Sequence, residues 1–162
     1  MFAIYFDYKD LGQNIMLGVI VYEDMDKIIQ ETKTIKKSGK TNFDHTLEAW
    51  VFATELVKEE GFDDIKFLNQ NKLIFDWLAK GNYTDERAVY YDQIKKNMLY
   101  MKADGANALE YEVIKGDKNE AKKYLKKAVT TESNAIKGDF MDVLFSQARD
   151  AKVVPIKKRK RA

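Results

Sequence analysis

A chain of 162 residues with 45% hydrophobic and 33% charged residues and a single proline has the size and composition of one globular domain with a sizeable core. No apolar run approaches the roughly 18 residues of a membrane span, and no basic stretch precedes the strand-like start, so neither a membrane segment nor a secretory leader is expected. Absence of cysteine excludes disulfides and thiolate metal sites and fits a reducing, cytoplasmic setting; with His45 as the only histidine, His-rich metal sites and Ser–His or Cys–His pairs lose support. The net charge of +2 hides an asymmetry. Six of the 28 basic residues lie between Lys152 and Ala162 with no acid among them, which leaves 22 basic against 26 acidic residues in the body. A mildly acidic body with a basic tail predicts that the tail contacts a polyanion.

Taken in chain order, residues 2–7 and 14–22 read as β-strands, being short, β-branched and aromatic, with Asp10-Leu-Gly12 as the turn between them. Residues 27–35 make a third, more polar strand that suits a sheet edge. Thr41 or Asn42 can cap a helix carrying Leu47, Trp50, Val51, Thr54 and Val57 at helical spacing, with Gly61 as its stop. A fourth strand is expected over 64–69 and a helix over 71–80, ended by Gly81-Asn82. A longer helix spans 85–101, a fifth strand 109–115, and a lysine-rich helix follows Gly116-Asp117 to about Val129. Ser133 can cap a last helix with Ile136, Phe140, Val143 and Leu144 along one side.

Three meandering strands followed by helix–strand alternation imply an α/β chain with a mixed five-stranded sheet, its first three strands antiparallel, flanked by helices. The expected organisation is a domain over 1–130, an extra C-terminal helix over 131–151 and a basic tail over 152–162.

The order of elements resembles the ribonuclease H fold of the type-one family over residues 2 to 129. The best local match is Asn69-Gln-Asn-Lys-Leu-Ile-Phe-Asp-Trp-Leu-Ala-Lys-Gly-Asn-Tyr83, similar to the stretch in which the family places Asp-Ser before a helix ending in a Gly-x-Tyr turn. Asp7 closes the apolar run from Phe2, Glu48 sits in the first helix, and Tyr111 to Ala121 resembles the strand, loop and helix start that carry the family's last aspartate. The resemblance implies hydrolysis of RNA in RNA–DNA hybrids by two divalent ions held between carboxylates. Two of the four acids match, Asp7 and Glu48. Gln70 replaces the third, and a neutral amide is a poor ligand for a hard cation. Lys122 or Lys123 replaces the fourth, and an ammonium there either repels a metal or takes its place electrostatically. Tyr8-Lys9-Asp10 also departs from the Gly-Ser that the family carries after its first aspartate.

Each feature has an ordinary reading beside the functional one. Asp7 can end a strand, and Glu48 can be a first-turn acid favoured by the helix dipole. Asn69, Gln70 and Asn71 can form a polar helix cap or a surviving substrate contact. His45 lies one turn before Glu48, where a surface histidine is the ordinary expectation. Trp50, Trp77, Phe67, Phe75, Tyr90 and Tyr91 read as packing rather than stacking platforms. Lysines 115, 118, 122, 123, 126 and 127 are a solvated face, or a row of ammonium groups beside a groove for phosphates.

Three functions follow. The leading one is a catalytically degenerate nucleic-acid-binding protein for RNA, an RNA–DNA hybrid or structured RNA. Asn42, Asn71, Lys115, Lys118, Lys122 and Lys123, with the tail residues Lys157, Lys158, Arg159, Lys160 and Arg161, are the expected contacts. It requires no cofactor and holds at most one weak Mg²⁺ or Mn²⁺ on Asp7 and Glu48. The alternatives are an active hybrid endoribonuclease with a rearranged site recruiting Asp117, and a structural subunit of a ribonucleoprotein that meets a protein partner through the C-terminal helix. The tail leaves a nuclear address open.

Overall fold

The computed structural model describes residues 1–38, 40–81, 83–100 and 109–128. Three strands open the chain: β1 (Phe2–Asp10), β2 (Asn14–Glu23) and β3 (Asp26–Lys36). All three outrun their expected limits, and β1 continues past Asp7, which pairs with Gly18 in mid-strand rather than ending it. The extension follows from pairing, since β1 stays in antiparallel register with β2 as far as Asp10↔Ile15. Asp10 then turns the chain by accepting from the Gly12 N–H at 2.8 Å, and Lys37 pairs with the same carboxylate.

Helix α1 (Asn42–Glu60) is capped by Thr41, whose hydroxyl accepts from the Asp44 N–H while the Asp44 carboxylate reaches back to the Thr41 N–H. This reciprocal box satisfies two N–H groups that a helix start leaves unpaired. Gly61 closes α1 at φ 70°, a left-handed conformation that costs a glycine little. Strand β4 (Ile65–Asn69), α2 (Lys72–Lys80) and α3 (Ala88–Asn97) follow, then β5 (Leu109–Val113) and α4 (residues 120–128).

The sheet order is β3-β2-β1-β4-β5, with β1, β2 and β3 antiparallel and β4 and β5 parallel to β1, as the sequence pattern implied. The single helix expected over 85–101 is divided: a 3-10 turn (Asp85–Arg87) precedes α3, and after a turn at Met98 residues 99–100 are helical again. Thr84 places no side-chain cap on the 3-10 turn, and at the other end of α3 the Asn97 amide is committed to Thr54 of α1 at 3.0 Å. The lysine-rich helix likewise starts later than expected, after a 3-10 turn over Gly116–Lys118.

α1 crosses one face of the sheet and supplies Trp50, which is fully buried between Phe6 of β1, Phe67 of β4 and Phe75 of α2. Burying large aromatics is the strongest single packing contribution available to a core of this size. Phe67, Phe75, Trp77 and Tyr90 are buried and Tyr91 half-buried, so the aromatics are packing residues as expected. On the other face α4 sits very close to β2. A Cβ on Gly18 would lie 2.8 Å from Leu125 Cγ, so the missing side chain lets Leu125 seat directly on the strand beside Asp7. The C-terminal helix over 131–151 and the tail over 152–162 lie outside the described residues.

Candidate functional site

Strands β1 and β4 run parallel as far as Tyr5↔Leu68 and then part, β1 continuing against β2 while β4 turns into α2. Parallel strands that diverge at their carboxyl ends leave a crevice with unpaired backbone groups, the usual place for a ligand in such sheets. Here the group at the crevice is the buried Phe6 carbonyl. Two amides fill it: Asn69 Nδ2 donates at 2.7 Å and Asn119 Nδ2 at 3.1 Å. Asn69 Oδ1 also accepts from the Asn71 N–H, and Asn71 caps α2 through Leu73. Asn71 therefore serves as the polar cap, and Asn69, Gln70 and Asn71 divide between capping and the crevice.

Asn119 is the hinge of this arrangement. Its Oδ1 accepts from the backbone N–H groups of Ala121 at 3.0 Å and Lys122 at 3.4 Å, capping α4. Since its oxygen faces N–H donors and its nitrogen faces a carbonyl, the orientation of the amide is fixed. That same nitrogen donates to Gln70 at 2.7 Å, so the atom facing Asn119 must be Gln70 Oε1. The other end of Gln70, its NH₂, is thereby turned onto Asp7, 3.5 Å from each carboxylate oxygen. A chain of fixed amides thus aims donors at the carboxylate, where a bound cation would need acceptors.

Asp7 is only 4% exposed. Burial pushes its carboxyl above the ordinary carboxylate range, and the Tyr8 N–H, the Gln70 amide and the charges of Lys122 and Lys9 pull the other way without cancelling it. Lys122 rises from the first turn of α4 toward this crevice. A Cβ on Gly116 would lie 3.3 Å from Lys122 Nζ and 4.0 Å from Gln70 Cγ, so the ammonium rests in the notch beside Gly116 and Gln70. Among the described residues no ion pair joins Lys122 to Asp7. Lys123 goes elsewhere, pairing with Glu120 at 3.1 Å and bearing on Tyr5 and Tyr22. Of the two lysines, Lys122 is the one that borders Asp7.

Glu48 has a separate environment. Its Oε1 meets His45 Nδ1 at 2.9 Å and its Oε2 accepts from the Tyr90 hydroxyl at 3.1 Å. Lys40 in turn donates to the Tyr90 oxygen at 2.8 Å, a bond that raises the Lys40 pKa, while burial raises that of Tyr90. His45 is not the surface residue expected. It is 1% exposed, packed beside Tyr8, with Nε2 buried and without a partner among the described residues. The reason is its helical phase: one turn before Glu48 it points under the sheet end rather than outward. A cleft of about 180 Å³ opens on the far side of Glu48, lined by Leu17, Lys33, Phe52, Glu55, Tyr90 and Gln93, and Asp7 takes no part in it.

The remaining expected contacts are spread around this end of the molecule. Asn42 is exposed at the start of α1, and its carbonyl accepts from Thr46. Lys115 is exposed just before the 3-10 turn that precedes α4, and Asp117 and Lys118 are exposed within it. Lys157, Lys158, Arg159, Lys160 and Arg161 lie outside the described residues. Asn119, Tyr90 and Lys40 were missed as site residues. Asn119 carried a signal, an Asn directly before an amphipathic helix, whereas the Tyr90–Glu48 bond spans 42 residues and has none.

The donor set does not fit a pair of divalent cations. Among the described residues no three His, Asp or Glu side chains gather to hold a metal ion. Around Asp7 stand an amide presenting its NH₂ and an ammonium, and both Glu48 oxygens are engaged by His45 and Tyr90.

No protein-family model matches the chain, and no curated protein matches it in sequence. Solved structures do. RNase H1 from the halophilic archaeon Halobacterium salinarum superposes with a TM-score of 0.65 at 18% identity, covering 80% of this chain and 98% of that one. LC11-RNase H1, solved in complex with an RNA/DNA hybrid, gives 0.64 at 17% identity over 80% and 99% of the two chains. The N-terminal RNase H domain of Rv2228c from Mycobacterium tuberculosis gives 0.62 at 14% over 76% and 94%. With the strand order and the crevice at the ends of β1 and β4, these likenesses identify the chain as having the ribonuclease H-like fold.

Proposed function

We propose that this chain binds the backbone of an RNA-containing nucleic acid, an RNA–DNA hybrid being the probe of choice, and does not cleave it. The observation that carries this reading is the orientation of Gln70. Its NH₂ faces Asp7 because Asn119 holds its oxygen, so the carboxylate that divalent ions would need as an acceptor is engaged by a donor. The ammonium of Lys122 at the mouth of the crevice suits an anion, and the anion that nucleic acids present is the phosphodiester.

Exposed Lys115, Lys118, Lys122 and Lys123 lie along the approach to α4, and the tail from Lys157 to Arg161 adds five further charges to the chain. Contacts of this kind position a backbone and carry no base information, so affinity is expected to be insensitive to sequence. The hybrid bound by LC11-RNase H1 belongs to that protein; it makes a hybrid the natural first probe for a chain of the same fold.

The test is retention of a labelled RNA–DNA hybrid across a salt series. Binding whose log K falls linearly with log salt, by about 0.9 for each phosphate neutralised, is the expected result. No retention at low salt, for the hybrid or for structured RNA, contradicts the reading.

A further inference from the structure

The notch between Gly116 and Gln70 is more specific than a basic surface. Gly116 leaves it open on one side, and a Cβ there would come within 3.3 Å of Lys122 Nζ. Lys122 is exposed as a residue yet its ammonium rests at the mouth of a crevice whose floor is the buried Asp7. It is attracted to that carboxylate but not paired with it among the described residues, so its N–H donors keep room for a second anion. Leu125, one turn further along α4 and seated on Gly18, fixes the height at which Lys122 emerges.

We infer that Lys122 Nζ is a built-in cation: it takes one phosphate oxygen of the bound nucleic acid in the Gly116–Gln70 notch, so that binding there needs no divalent metal. This rests on the proposed nucleic-acid binding and deepens it by naming the phosphate seat. Asp7 steadies the ammonium from below, and Gln70 separates the carboxylate from the incoming phosphate by giving it a donor of its own. The proposal also predicts a conversion. Replacing Gln70 and Lys122 by aspartates places three carboxylates around one crevice, the charge and donor type that a hard cation takes.

The experiment uses the full chain and a short RNA–DNA hybrid, with binding measured in chelator and in Mg²⁺ at matched ionic strength. The parent is expected to bind equally in both. Lys122→Ala should weaken binding about tenfold, the loss of one charge-assisted hydrogen bond. Gly116→Ala keeps the lysine but puts a methyl 3.3 Å from its Nζ, which must give by a few tenths of an ångström, so binding should weaken in the same direction but less than in Lys122→Ala. Lys127→Ala, which removes the same charge away from the expected contacts, should change it by no more than about threefold. If the parent binds but Lys122→Ala behaves like Lys127→Ala, the seat is refuted while nucleic-acid binding stands. If the parent binds only with Mg²⁺, the built-in cation is refuted. If the parent does not bind at all, the underlying reading falls and this inference with it. A second readout involves no nucleic acid: calorimetric titration with Mn²⁺ should give heat of binding for the Gln70→Asp/Lys122→Asp double variant and none for the parent. Binding by the parent, or by neither while the double variant remains folded, overturns the assignment.

Discussion

Asp7 and Glu48 are held in opposite ways. Asp7 lies on the sheet, buried, with amides and an ammonium arranged around it through a chain of hydrogen bonds that begins at the Phe6 carbonyl. Glu48 lies on α1 and is tied to the helical side of the molecule by His45 and Tyr90. In the first region the amides hold one another and the Asp7 carboxylate. The second uses its polar groups to join α1 to α3, with Arg87 on Asp44 at 2.7 Å and Asn97 on Thr54 at 3.0 Å repeating the same link further out. The difference teaches that neither acid is idle. One now organises a pocket, and the other has become a structural bond.

The largest effect expected from breaking this comparison is at Asn119. Asn119→Ala removes the α4 cap and leaves Gln70 Oε1 without its buried donor, at a cost of about 3 kcal/mol, read by urea denaturation. It should also let Gln70 turn over, so hybrid affinity should fall further than the stability loss explains. Gly18→Ala comes next. Its Cβ meets Leu125 at 2.8 Å, and pushing α4 off β2 should cost about 2 kcal/mol and displace Lys122 with it. A fully stable Gly18→Ala variant would mean that α4 is not seated as described.

On the helical side the expected effects are smaller and leave hybrid binding nearly unchanged. Asp44→Ala breaks the capping box and the Arg87 link, at about 1 kcal/mol. Burial pushes the Asp44 carboxyl up, but the bonds from Arg87 and Thr41 outweigh it and hold it below the ordinary range. A carboxyl depressed in the folded state stabilises above its unfolded pKa and loses that contribution as pH falls through the folded value. The Asp44→Ala deficit should therefore shrink in acid. Asp7 has the opposite sign. Its folded pKa is raised, so its contribution is complete below the unfolded pKa and is lost as pH rises through the folded value. Asp7→Asn should accordingly raise the melting temperature slightly at neutral pH, with the gain vanishing in acid. Opposite pH trends for the two variants would sharpen the comparison, and parallel trends would break it.

The sequence made some of this legible and hid the rest for definable reasons. The meander, α1 and the β4–α2 unit could be read because alternation, helical spacing and glycine stops are local signals, and Thr41 and Gly61 mark the ends of α1 where they stand. Asp7, Glu48, Gln70 and the pair Lys122/Lys123 are legible through resemblance rather than periodicity. The boundary errors share one cause. β1 runs beyond Asp7 because β2 continues to pair with it, a long-range effect that no window of sequence contains. The last residue of α3, Asn97, meets Thr54 of α1, and the burial of His45 depends on Tyr8 and the sheet end. Choosing Lys122 over Lys123 required the phase of α4, which Leu125 sets by docking on Gly18.

The most direct measurement is single-turnover cleavage, with protein in excess over an end-labelled RNA–DNA hybrid, in Mn²⁺, beside the Asp7→Asn variant. The account predicts a retained and intact RNA strand in both, since Gln70 and Lys122 leave no room for the metal pair. Cleavage by the parent that a chelator stops and Asp7→Asn abolishes would contradict it, and would mean that the missing carboxylates have been replaced by others.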